Sequence, residues 1–330
     1  MSPSLFLWGG FFALVFALLA LDLGVFHKTP HAISTREALA WTGVWICVSM
    51  LFNVAVYFIY EHGWIVAGGE ALSGSDAAIR FFTAYLIEKM LSLDNIFVIA
   101  AIMASFRVPA LAQHRVLYWG VLGALVMRGL MIFAGTAAIH RFSWLMYVLG
   151  ALLLVTGAKM FGPDSEEEEV KENAIVHFVR RVYPVAKDFH GTAFFTRVDG
   201  KKAVTPLFLA LIAIEATDVL FAVDSVPAVF GVTLDPFIVF TSNVFAILGL
   251  RSLFFALQSA LDRFHYLKPT LAVILIYVGL KMLVTHHWHE FDIHPLVSLA
   301  VIAALLAIGT IASIIHERRQ ADSTPPDPQD

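Results

Sequence analysis

Residues 88–98 read EKMLSLDNIFV and stand inside a long apolar stretch. Glu88, Lys89, Asp94 and Asn95 occupy positions where hydrocarbon side chains are expected. Residues 215–230, EATDVLFAVDSVPAVF, repeat the pattern with Glu215, Asp218 and Asp224. Why an apolar chain carries these groups decides both its fold and its function.

The surrounding chain is 330 residues long, 59% hydrophobic and only 15% charged. Its mean hydropathy is +0.77. Soluble domains carry about a quarter charged residues, so the composition is that of an integral membrane protein. Apolar windows long enough to cross a bilayer fall at about 5–26, 38–60, 79–103, 116–139, 143–162, 206–230, 236–258, 269–285 and 295–315. The fold expected is all-α, with about nine transmembrane helices. The first window lacks a basic leading segment and a small-residue cleavage site, so it reads as a retained helix. The single cysteine, Cys47, cannot form an internal disulfide.

Charge in the loops sets an expected orientation. One set of alternate loops and the C-terminal tail hold fifteen Lys and Arg, against one, Arg141, in the other set. Basic loops face the cytoplasm, which places the N-terminus outside and the C-terminus inside. The chain then divides into helices 1–5 over 1–162, a cytoplasmic loop over 163–205, helices 6–9 over 206–316 and a disordered tail over 317–330. In the loop, Ile175, Phe178, Val179 and Val182 fall at helical spacing beside Arg180 and Arg181. This suggests a short helix lying on the inner membrane face; an ordinary linker is the alternative. Residues 193–206 read as a hairpin around Asp199-Gly200.

An internal repeat ties the two polar motifs together. EKMLSLDNIFVI (88–99) aligns with DVLFAVDSVPAV (218–229), placing Glu88 on Asp218 and Asp94 on Asp224. Further on, Arg128 aligns with Arg251, and Lys159 with Lys281. The repeat covers spans 3–5 (79–162) and 6–8 (206–285). Three spans per copy is an odd number, so the copies would cross in opposite senses. Inverted repeats are a common transporter architecture, with sites near the midplane where the copies meet.

Each ionisable group at the bilayer centre costs about 3 kcal/mol. Glu88, Asp94, Glu215, Asp218 and Asp224 would together cost on the order of 15 kcal/mol, and Asp22 near the end of span 1 adds to this load. A bound divalent cation would relieve it. The available ligands are oxygens: these carboxylates, Asn95, Ser92, Ser225, Thr217 and backbone carbonyls. Such a set favours Mg, Ca or Mn over Zn or Cu. Two alternatives stay open. The acids could pair with Lys89, Arg128 and Arg251 merely to hold helices together, or they could relay protons. Six residues separate each motif's two acids, which sets them ~120° apart on a continuous helix. Either other spans surround each helix, or it breaks, as Pro227 suggests for the second. Lys159 and Lys281 read as snorkelling residues. Asn53 could face the site or bond a neighbouring helix. The stretch His286–His294 could capture a metal or be a polar loop. No phosphate-binding, dinucleotide, zinc-protease or serine-hydrolase motif is present, so neither enzymatic activity nor nucleic-acid binding is expected.

The two motifs, with FFTRVDGKKAVTPLF leading into the second, resemble the TerC/Alx family of bacterial membrane proteins over roughly residues 5–316. That resemblance implies manganese as the ion, and tellurite resistance by name. The expected function is Mn²⁺ efflux across the inner membrane, coupled to another ion such as protons, with Mn²⁺ as substrate and no permanent cofactor. The site would comprise Glu88, Asp94, Asn95, Glu215, Asp218 and Asp224, supported by Asp22, Ser225, Arg128 and Arg251. The alternative is a membrane scaffold, either of a metal or tellurite stress-response complex or of metal delivery to exported proteins. Expected partners are a divalent ion, the lipid bilayer and membrane or stress-response proteins. Tellurite is an anion that an acidic site repels, so a tellurite phenotype would be indirect.

Overall fold

A computed structural model describes residues 3–26, 35–65, 72–161, 174–186, 188–198, 201–257, 266–288 and 293–323. The described chain is almost entirely helical. In order it forms α1 (Pro3–Phe26), α2 (Thr35–Glu61), α3 (Gly74–Ser105), α4 (Ala110–Arg141), α5 (Leu145–Lys159) and α6 (Ala174–Val182). After the strands β1 (Phe195–Val198) and β2 (Lys201–Val204) come α7 (Pro206–Phe230), α8 (Pro236–Leu248), α9 (Leu250–Leu257), α10 (Leu267–His287) and α11 (Pro295–Ser323).

Helix starts follow local capping chemistry. Ser73 accepts the Asp76 N–H at the head of α3, and Thr205 accepts the Phe208 N–H at the head of α7, with Pro206 in the first turn. Asp235 caps α8 by accepting the Phe237 and Ile238 N–H groups. The Tyr60 hydroxyl donates to the other Asp235 oxygen at 2.7 Å and pins α2 to that cap.

Among the described residues, five helices are long and apolar enough to cross a membrane: Arg36–Glu61, Ala110–Arg141, Pro206–Phe230, Lys268–His287 and Pro295–His316. A sixth is added if α8 and α9, bent by 41° where they meet, form one span. α5 is apolar but shorter, as is Leu5–Leu21, the part of α1 whose side chains are described. Five or six of the nine expected spans are therefore long and apolar enough among the described residues. Among the described residues each expected window is nonetheless occupied by helix. The helix that carries the first motif, α3, misses the measure because Asp76, Arg80, Glu88, Lys89 and Asp94 crowd its length.

The expected break at Pro227 does not occur. α7 runs through to Phe230, with Pro227 in its last turn, where few ladder bonds remain to be lost. Both motif helices are continuous, and α3 is instead surrounded, packing on α2, α7, α8, α9, α10 and α11. The break falls at Gly249, between α8 and α9. At the far end α11 continues to Ser323, past the expected tail boundary at 317, because Glu317 to Ala321 are good helix formers.

Packing sets helix directions. Along the α4–α7 contact, Gly120 faces Ile214, Gly123 faces Glu215 and Gly135 faces Phe230, so both chains run the same way. Along α5–α10, Gly150 faces Gly279 and Gly157 faces Ala272, so these run oppositely. A methyl at Gly157 would lie 2.8 Å from the Ala272 carbonyl oxygen, and one at Gly279 would lie 2.9 Å from that of Gly150. Small residues permit this close backbone approach. α1 and α2 join through aromatic packing, with Phe11 against Phe52 and Phe245.

Beside α7 lie α6 and the two-stranded hairpin, in antiparallel register from Phe195↔Val204 to Val198↔Lys201. The turn residues 199–200 lie outside the described residues.

Candidate ion site

The fully buried Glu88 is presented by α3. The next turn of the same helix ties its backbone down, with the Ser92 hydroxyl donating to the Glu88 carbonyl at 2.7 Å. Across from it α4 presents Arg128, also buried. Arg128 Nη1 donates to Glu88 Oε2 at 2.6 Å. Its Nη2 and Nε donate as a fork to the Asp218 oxygens on α7, at 3.0 and 3.2 Å. Ser225 accepts a longer bond from Nη1 at 3.4 Å. One guanidinium therefore joins two acids from two helices. Arg suits this role because its planar donors match a carboxylate bidentately.

One Arg cannot fully neutralise two ionised acids. Glu88 Oε1 is buried without a hydrogen-bond partner, and Asn243 Nδ2 on α8 is likewise unpartnered. Asn243 lies near the Glu88 carboxylate. A buried acceptor left unpaired costs about 1–3 kcal/mol. The cluster thus leaves one Glu88 oxygen that Arg128 does not reach.

The other acids point elsewhere. Glu215, one turn before Asp218, is half-buried in a groove of about 580 Å³ bordered by Trp119, Gly123 and Met127 of α4. Gly123 makes this possible, since a methyl there would run into the Glu215 carboxylate. Asp224 is half-buried and accepts the Thr156 hydroxyl of α5 at 3.0 Å. Asp218 and Asp224 diverge around α7 as their spacing requires. Asn95 is buried on α3 and Arg251 on α9. The side chains of Asp22 and Asp94 lie outside the described residues, as do residues 289–292 of the His-rich stretch. Among the described residues no three His, Cys, Asp or Glu side chains converge as a ready metal cage.

Lys89 does not join the acids. It turns toward the α8–α9 break and donates to the Ala246 carbonyl at 3.2 Å. A methyl at Gly249 would lie 2.9 Å from its ammonium nitrogen. The lysine thus caps a helix end that the break leaves unsatisfied. Sequence reasoning missed Thr156, Gly123, Gly249 and Asn243. Only Asn243 had a visible signal: Thr241, Ser242 and Asn243 interrupt an apolar span as the first motif does.

A helical membrane protein with a buried carboxylate–guanidinium cluster between its helices is the class that fold and site define. The chain belongs to the family described as "Integral membrane protein TerC family", whose sequence profile matches residues 73–321. It is 47% identical over 322 residues to the membrane protein STKORF319 of Myxococcus xanthus, covering 98% of this chain and 95% of that one. It is 44% identical over 308 residues to Alx of Escherichia coli, named as a proposed membrane-bound redox modulator, covering 92% and 93%. A membrane protein of Rickettsia bellii is 39% identical over 310 residues, covering 94% and 97%. No solved structure matches.

Proposed function

We propose that this chain exports a divalent cation, Mn²⁺, across the bacterial inner membrane in exchange for protons. The observation that carries the reading is the buried Glu88–Arg128–Asp218 cluster with its unsatisfied Glu88 oxygen. Arg128 acts there as a tethered cation that holds the acids together between transport events. An incoming divalent ion competes with it for Glu88 and Asp218, and Asn243 and Ser225 supply further oxygens. Hard oxygen donors suit Mn²⁺. Glu215 in its groove and Asp224 beside Thr156 serve as carboxylate stations on either side of the cluster. Carboxylates that carry either a metal or protons provide the coupling.

The packing supports an inverted pair of repeats. Under the sequence alignment α3 corresponds to α7, α4 to α8–α9, and α5 to α10. Exchanging the copies turns the observed α3–α8 contact into the observed α7–α4 contact. It also turns Gly150–Gly279 into Ala272–Gly157, the other contact of that seam. The antiparallel α5–α10 pair is what copies of opposite sense require. On this reading, with the basic 163–205 segment cytoplasmic, the N-terminus faces outside.

A redox effect of the kind named for the Alx relatives would be indirect here, because one cysteine cannot form an internal dithiol couple. A shift in intracellular metal is such a route.

The test is Mn²⁺ flux into proteoliposomes holding the purified protein, with and without a pH gradient. Wild type should transport and respond to the gradient, and Glu215→Gln and Asp224→Asn should not transport. A folded wild type that moves no Mn²⁺ beside a working control would overturn the reading and favour the scaffold role.

A further inference from the structure

The segment before α7 carries a surface that ion transport does not use. α6 buries Val176, packs Val179 inward, and leaves Phe178 65% exposed beside Arg180 and Arg181. The hairpin does the same. Phe195 is 63% exposed although it packs on Phe208, ring centres 4.9 Å apart. Tyr183 is 54% exposed. Tyr183 and Phe195 line one cavity, and large apolar groups exposed together mark a contact surface.

The strand register adds charge to this face. Arg197 stands directly opposite Lys202. Like charges so placed repel, and neither has an acidic partner among the described residues. Both line one cavity of about 730 Å³ whose apolar walls include Tyr183, Phe195 and Phe208. Two cations and an aromatic floor in one cavity call for a ligand with an anionic head and an apolar body.

Its height in the membrane follows from α7. The Thr205 hydroxyl at the α7 cap donates to the Ala193 and Phe194 carbonyls, at 2.8 and 3.1 Å. The hairpin is therefore fastened to the end of a helix long and apolar enough to span. With α7 spanning the bilayer, that end would sit where lipid headgroups meet acyl chains.

We propose that this cavity, with the exposed faces of α6 and the hairpin, binds an anionic phospholipid of the surrounding bilayer. The phosphate lies against Arg197 and Lys202, and the first acyl carbons lie over Phe195 and Tyr183. The binding draws on paired charge and apolar area together, so free phosphate, which lacks the apolar body, is a poor substitute. The site stands independently of the transport reading.

Native mass spectrometry of the full-length protein tests it, with equal phosphatidylglycerol and phosphatidylcholine added in mild detergent. Wild type should retain phosphatidylglycerol about tenfold over phosphatidylcholine. Arg197→Gln/Lys202→Gln should lose most of that preference, whereas Arg197→Lys should keep it. Phe195→Ser should weaken retention of both lipids. Salt gives a measure free of mutation: raising ionic strength from about 0.05 to 0.5 M should release phosphatidylglycerol from wild type. An unchanged preference in the double variant, salt-insensitive retention, or displacement by inorganic phosphate alone would overturn the proposal. So would absence of any lipid preference, which is the result a protein partner on this face predicts.

Discussion

Glu88 and Asp218, which the alignment of the two motifs pairs, both accept hydrogen bonds from the same guanidinium, Arg128. Residues 130 apart in sequence thus meet through a third that neither motif contains. The cluster is both a packing element and a charge store, and removing any one member exposes what the others require.

Removing Arg128 should leave two acids without a counter-charge. Loss of one partner from a buried ion pair costs about 3–5 kcal/mol. Arg128→Gln should lower the melting temperature in detergent, and Arg128→Lys, which cannot fork onto Asp218, should fall between it and wild type. Adding Glu88→Gln to Arg128→Gln should recover part of the loss. A double-mutant cycle with no coupling would show that the pair contributes nothing to stability.

The Thr156–Asp224 bond should tune transport without controlling folding. Interhelical hydrogen bonds in membranes are worth about 0.6 kcal/mol on average, or roughly a threefold change in affinity. Thr156→Val should therefore raise the half-saturating Mn²⁺ concentration about threefold at near-native stability, whereas Asp224→Asn should abolish flux. Equal effects from the two substitutions would argue that Asp224 acts only through this bond.

The α5–α10 seam tolerates no added side chain. Gly157→Ala would press a methyl against the Ala272 carbonyl and Ile276. Overpacking of this kind costs about 1–3 kcal/mol. A thermal-shift scan should find Gly157→Ala and Gly279→Ala clearly destabilised. Gly43→Ala, where a methyl would have nothing within 4 Å, should remain at the wild-type value.

Loop charge predicts which side each connection faces. On a Cys47→Ser background, His190→Cys should react with an impermeant maleimide only when the cytoplasmic face is open. His62→Cys should react from the outside of intact cells. Both positions are exposed. Labelling of both from one side would overturn the assigned orientation and the opposite sense of the two repeats.

The order of local signals along the chain determined where helices form. Apolar windows, the helical spacing over 175–182 and the hairpin strands before α7 act over a few residues, so they can be read directly. The two acidic motifs were legible for the same reason, since charge inside an apolar run is a local anomaly. Which acids meet was not legible. Tertiary packing put Arg128 between Glu88 and Asp218, turned Glu215 into the Gly123 groove, sent Asp224 to Thr156 and diverted Lys89 to the α8 break. Pro227, the obvious breaker, sits in a last turn with little left to break, and Gly249 breaks a helix whose freed carbonyl Lys89 can reach. Such choices depend on helix crossings between residues more than a hundred positions apart, where a rotation of one residue, about 100°, sends a side chain to a different neighbour.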